Sequence, residues 1–155
     1  MIAGMTDAGA LPSNYVAGQL IVSKDTTGLN FSNVPTTTIE VGNMRNAEEA
    51  RRMSSKAGQR QYADWLYAGI ERFFATLDAA WAGRVTVMTF SEFGRTSYSN
   101  DGPGTDHGSS APQFVLGAGV RGGFYGERPS LSGLQRWERP ASPVDMRDYF
   151  GSIVD

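Results

Sequence analysis

The stretch VTVMTFSEFGRTSYSNDGPGTDHGSSAPQFVLGAGVRGG, residues 85–123, holds the only histidine of the chain, and that histidine follows an aspartate in GTDHG. Asp106 and His107 offer a carboxylate and an imidazole, both good ligands for zinc or manganese, and their different reach lets neighbours face one ion or two. Glu92, in SEFGR, would add a third ligand or a proton acceptor. Arg95 could bind an anionic oxygen in bidentate fashion. Gly102, Gly104 and Gly108 would let the backbone turn tightly. Asp, Asn, Gly and Ser are also what any turn uses. A closed metal site needs three or four ligands, so local spacing alone favours a structural loop over a site.

Three other chemistries fit less well. Gly117-x-Gly119-x-x-Gly122 matches the dinucleotide-binding pattern after a predicted strand, but FYGERPSL beyond it does not read as the required helix. Ser91 or Ser109 with His107 could suggest a serine hydrolase, yet no G-x-S-x-G elbow is present. Glu92 and Asp106 could act as paired carboxylates on a glycoside, a reading that depends on their separation.

The elements that must position these residues belong to a chain of 155 residues, enough for one domain with a core. Hydrophobic residues make up 40% and charged residues 19%, the balance of a globular rather than a disordered chain. The net charge is -2 and no basic tract stands out, which argues against nucleic acid as a partner. The absence of cysteine excludes disulfides, thiol catalysis and cysteine-ligated zinc. The opening MIAGMTDAGALPSN lacks the basic and apolar regions of a signal peptide, and no apolar run approaches the ~20 residues of a membrane span.

Residues 1–45 read as an irregular segment, with NYVAGQLIVSKD as a short helix or strand and a strand at Thr36 to Val41. From Asn46 to Trp81 there is no proline. Tyr62, Trp65, Leu66, Ile70, Phe73, Phe74, Leu77 and Trp81 fall at spacings of three and four, which predicts one long helix with an aromatic core face. Asn46 is its expected cap and Gly83 its expected stop. RVTVMTF then reads as a strand buried on both faces, PQFVLGAGV as a second, and SPVDMRDYFGSIVD as a helix capped by Ser142 with Tyr149, Phe150 and Ile153 on its apolar side. A helix feeding a strand through a short turn is half of a βαβ unit, which predicts a parallel sheet. The segment from Ser91 to Pro112 would be a long polar loop at a strand's carboxyl end, where open α/β sheets bind ligands.

SEFGR, followed by N-x-x-G-x-G-x-DHG, a glycine-rich strand and PVDMRDYFGSIVD, closely resembles the C-terminal part of a bacterial family known as domain of unknown function 1501. The resemblance covers roughly Tyr62 to Asp155, and the family is similar to a branch of the alkaline phosphatase and sulfatase superfamily. It implies a three-layer α/β/α sandwich with a mostly parallel sheet, present here over residues 46–155 as a C-terminal portion. It also implies two divalent metals (zinc, manganese or calcium) at the strand ends, and cleavage of a small anionic phosphate or sulfate ester. Asp106 and His107 would take the part of the superfamily's D-H pair. Alternatively Glu92, which directly ends the strand, takes that place and His107 is the later histidine; the strand following His107 favours this second placement. Asp106, His107 and Glu92 would then be metal ligands, with Glu92 and Arg95 as catalytic groups.

The departures from the family pattern shape the expectation. An earlier F-D-T-H motif is replaced by TTTIEVGNMRN, and no second histidine exists. The expected protein is therefore a fragment or remnant of a larger hydrolase, inactive in isolation. The alternative is a non-catalytic binding or scaffold domain whose loop meets a surface partner or glycan. Relatives are commonly exported by the twin-arginine route, which implies a periplasmic or extracellular location.

Overall fold

The computed structural model describes residues 1–15, 29, 32–91, 93–102 and 104–154. The segment expected as a short helix or strand at NYVAGQLIVSKD lies mostly outside them, as does Glu92. The chain divides into two compact units, Met1–Ala82 and Gly83–Asp155.

The first unit is helical. Its described elements are α1 (Ile2–Asp7), α2 (Ala47–Ser54), α3 (Lys56–Ala75) and α4 (Ala79–Ala82). Asn46 caps α2 as expected, its side chain accepting from the Glu48 and Glu49 amides. The single long helix does not form. Ser55 takes an extended conformation (φ -94°, ψ 144°) and starts a new helix by accepting from the Gly58 amide. Consecutive serines compete for backbone partners and favour caps over helix interiors. Gly58 makes the sharp junction possible, because a Cβ there would sit 2.0 Å from the Arg52 carbonyl oxygen. Thr36 to Val41 carries no strand.

Helix α1 lies on α3 through small residues. A Cβ on Gly4 would fall 2.5 Å from the Ala68 carbonyl oxygen, so only glycine permits this approach. The helix closes with a Schellman turn in which Gly9 (φ 90°) and Ala10 donate to the Thr6 and Met5 carbonyls. Trp65 is the anchor. It is 8% exposed and the only buried hydrophobic residue among those described. Its indole Nε1 donates to the Ala8 carbonyl at 3.0 Å, and Tyr62 meets its ring edge-on at 5.4 Å. The aromatic stripe is therefore core packing at one position, while Tyr67 and Trp81 stay exposed.

The second unit corrects the expected fold. Its strands are β1 (Thr86–Met88), β2 (Gly94–Ser99), β3 (Thr105–Gly108) and β4 (Val115–Gly117), followed by α5 (Met146–Val154). They form two separate two-stranded antiparallel sheets, β1 with β4 and β2 with β3, not a three-layer sandwich on a parallel sheet. A parallel pair needs a crossover, usually a helix, between its strands. Between β1 and β4 the chain makes the β2–β3 hairpin instead, and returns antiparallel. Neither apolar run is buried on both faces: Val87, Met88, Val115 and Leu116 are half-buried and Thr86 is exposed.

Helix α5 is capped by Asp145 rather than Ser142. The Asp145 carboxylate accepts from the Arg147 amide at 2.8 Å and from its guanidinium, which holds Asp145 below the usual carboxylate range. Ser142 instead donates to the Val144 carbonyl. Tyr149 clasps the end of β1: its hydroxyl donates to the Thr89 carbonyl at 2.7 Å, while Phe150 lies 6.1 Å from Phe90. Partial burial raises the Tyr149 pKa, and the side chain of Thr89 opposes that shift. A raised folded-state pKa favours the protonated phenol, so the clasp is intact below the ordinary tyrosine value of about 10 and is lost as pH rises through the raised one. Near-UV circular dichroism should therefore show α5 loosening only at alkaline pH. Tyr149→Phe should show it at neutral pH as well; an unchanged alkaline transition in that variant would contradict the clasp.

Candidate functional site

The expected polar loop from Ser91 to Pro112 is mostly a hairpin. GRTSYS alternates in a way a strand can use, and the turn signals crowd into NDGPG between the strands. Gly94 pairs with Gly108 and Arg95 with His107, and the ladder resumes at Ser99 with Thr105. Thr96, Ser97 and Tyr98 thus oppose Asp106 alone. A bulge of this kind bends a strand and re-aims its side chains, and is over-represented next to active sites.

Glycines at the first pair are required by proximity. A Cβ on Gly94 would lie 1.8 Å from the Ser110 carbonyl oxygen, and one on Gly108 would lie 2.7 Å from the Arg95 carbonyl. Ser91 shapes the entry by donating from Oγ to the Phe93 carbonyl at 2.7 Å.

Successive side chains of a strand point to opposite faces. Asp106 and His107 therefore diverge, and their partners differ. His107 is exposed and stacks on Phe93, with ring centroids 3.6 Å apart and planes 7° from parallel. The Arg95 guanidinium lies 5.1 Å from the same Phe93 ring and donates to the Thr105 carbonyl at 2.9 Å. Asp106 is half-buried beside the bulge; its carboxylate accepts from Asn100 Nδ2 at 2.9 Å, and its amide donates to the buried Thr96 hydroxyl at 3.2 Å. Asn100 also accepts the Gly102 amide on Oδ1 at 3.0 Å and donates its own amide to the Gly104 carbonyl at 2.9 Å.

Arg95 and His107 are thus brought together as cross-strand neighbours, and Asp106 is adjacent but turned away. Among the described residues no group of three or more His, Cys, Asp or Glu side chains is placed to hold a metal ion. Two diverging donors fall short of the three protein ligands of a catalytic zinc site. These residues alone therefore do not fit a divalent ion. Phe93, Asn100 and Thr96 are the supporting residues that spacing did not single out. Phe93 and Asn100 lie inside the quoted motifs; Thr96 becomes visible only with the bulge. The Gly117 to Gly122 pattern ends β4 in a turn, with Val120 donating to the Gly117 carbonyl, and no helix follows before α5. It lacks the helix of a dinucleotide site.

A small antiparallel hairpin thus carries Arg95, Asp106 and His107 in a chain of short helices and two-stranded sheets. The family model described as "Protein of unknown function (DUF1501)" matches residues 53–150. The chain belongs to this family. A curated relative, an N-acetylmuramoyl-L-alanine amidase of Mycobacterium tuberculosis, is 33% identical over 70 residues, covering 44% of this chain and 29% of the amidase. The chain thus spans less than a third of the length of that relative. No solved structure matches it. Among the described residues no helix is long and apolar enough to cross a membrane.

Proposed function

We propose that the hairpin is part of the site of a metal-dependent hydrolase acting on phosphate or sulfate esters, and that the isolated chain is inactive. The observation that carries this reading is the cross-strand pairing of Arg95 with His107 beside Asp106. Arg95 would hold an anionic oxygen of a small ester or anionic glycan. His107 would be a ligand of zinc, manganese or calcium, and Asp106, on the opposite face of β3, a ligand of a second ion, once other groups complete the site, Glu92 first among them. Glu92 would serve as a ligand or as the proton acceptor. The amidase supports hydrolysis as the reaction class, though its own name refers to an amide. The resemblance to exported proteins would place it outside the cytoplasm.

The expected result is no turnover of nitrophenyl phosphate or nitrophenyl sulfate by this chain with any of the three metals. Turnover that His107→Ala abolishes would overturn the incomplete-site reading.

A second reading, a non-catalytic binding or scaffold domain, is favoured by the internal partners of His107 and Asp106: Phe93 and Asn100 already occupy them. Metal-dependent melting separates the two. A ligand at 100 times its Kd stabilises by about 2.7 kcal/mol, which at about 2–4 °C per kcal/mol shifts Tm by several degrees. The hydrolase reading predicts such a shift with zinc or manganese, removed by His107→Ala. A scaffold shows none.

A further inference from the structure

The tip of the hairpin carries a second kind of chemistry. Asp101 is followed by Gly102 in SNDGPG. An aspartate before glycine is the sequence most open to attack on its own side chain, because glycine has no Cβ to shield its amide nitrogen. Asp101 is highly exposed, with 83% of its side-chain surface accessible. A Cβ at Gly102 would meet only Asn100 Oδ1, at 3.4 Å, so the space beside its Cα is open. Both residues lie in the turn between β2 and β3, outside either ladder.

We infer that Asp101 is a site of spontaneous isoaspartate formation, a covalent ageing reaction that acts on the candidate site. The Gly102 amide nitrogen attacks the Asp101 side-chain carboxyl carbon. The new C–N bond forms as the carboxyl hydroxyl leaves, taking up the amide proton, and one water is released. Water then adds back to either carbonyl of the succinimide ring, returning aspartate or giving isoaspartate. The net mass change is zero, and no oxidant or reductant enters.

Two contacts restrain the reaction. The Gly102 amide is engaged with Asn100 Oδ1 at 3.0 Å. The Asp101 carboxylate is paired with Arg136, whose guanidinium lies 4.8 Å from the Trp137 ring. Once isoaspartate forms, the main chain is one carbon longer between Asn100 and Gly102. The Asn100–Gly102 turn cannot close in the same register, and Asn100 is the residue whose Nδ2 holds the Asp106 carboxylate. Conversion at the tip therefore releases Asp106.

The test is ageing of the full chain at neutral pH and 37 °C, read by isoaspartyl methyltransferase labelling and by peptide mass spectrometry with chromatographic separation of isomers. Isoaspartate should accumulate at Asp101 ahead of every other aspartate, including Asp106 before His107. Arg136→Gln should accelerate it severalfold, and Gly102→Ala should slow it severalfold. Because Arg136→Gln could disturb the fold, the urea-unfolded chain gives the unrestrained rate, between which and wild type the variant should fall. Slower labelling at Asp101 than at Asp106 in the folded chain would overturn the assignment. Equal rates in wild type and Arg136→Gln would overturn the restraint by the ion pair.

Discussion

Trp65→Ala is expected to cost about 3–5 kcal/mol of stability in the helical unit, the range for removing a large aromatic from a core. The size of the effect follows from how little else is buried. No side chain among the described residues is fully buried, and Trp65 is the only buried hydrophobic one. Truncation also leaves the Ala8 carbonyl without its indole donor and removes the ring that Tyr62 and Arg52 approach. Helix α1 should detach from α3 first, since Trp65 and the close approach at Gly4 hold it together with Met1 and Met5 at Gly69 and an exposed Asp7–Arg72 ion pair. Urea melts followed by far-UV circular dichroism measure the loss. Trp65→Phe should recover most of the packing but not the hydrogen bond. A cost below about 1 kcal/mol for the alanine variant would contradict Trp65 as the anchor, because only surface positions behave that way.

Gly94→Ala is expected to break the register of the hairpin. The added methyl meets the Ser110 backbone, with its carbonyl oxygen 1.8 Å and its carbonyl carbon 2.4 Å from the new Cβ. A backbone obstacle cannot rotate aside as a side chain could. Overpacking of this kind typically costs about 1–3 kcal/mol. The cost here falls on a sheet of only two strands, a form with marginal stability of its own. Amide exchange at Thr105 to Gly108 should speed up strongly, while the helical unit keeps its protection. Retained protection at those amides would show that β2 and β3 do not approach as closely as the glycine pair requires.

How much of this was legible in the sequence depended on whether the signal was local. The Asn46 cap and the apolar spacing around Trp65 are local, and both led to helix. The break at Ser55 was hidden because a serine pair is a weak interruption beside strong helical periodicity. Its geometry, with Ser55 capping the new helix and Gly58 close against the Arg52 carbonyl, is local but carries no apolar signal. The β2–β3 hairpin is hidden in the sequence because GRTSYS is polar, and the strand signal lies mainly in apolar residues. Its Thr, Tyr and Arg suit a strand that faces water on one side. The parallel sheet failed for a topological reason. RVTVMTF and PQFVLGAGV look like buried parallel strands, but nothing in either run specifies strand direction. Direction was set by the hairpin between them.

The candidate site followed the same division. The cluster of Arg95, Asp106 and His107 was found because the residue types are uncommon and close in sequence. Their separation onto two faces was not legible until β3 was known to be a strand. Once Thr105 to Gly108 is extended, Asp106 and His107 must point apart, and Asn100 and Phe93 become their respective partners. The identity of the family rested on longer motifs, SEFGR and GTDHG, which survive any error in the secondary structure.

The most direct test of the hydrolase-site reading uses the fact that His107 is the only histidine. Its imidazole nitrogens can be followed by proton–nitrogen NMR without ambiguity while zinc is added to the chain. The account predicts a saturable zinc-dependent shift of one His107 nitrogen, weakened in Glu92→Gln. His107 resonances that stay fixed at every zinc concentration, in a chain that remains folded, would contradict it.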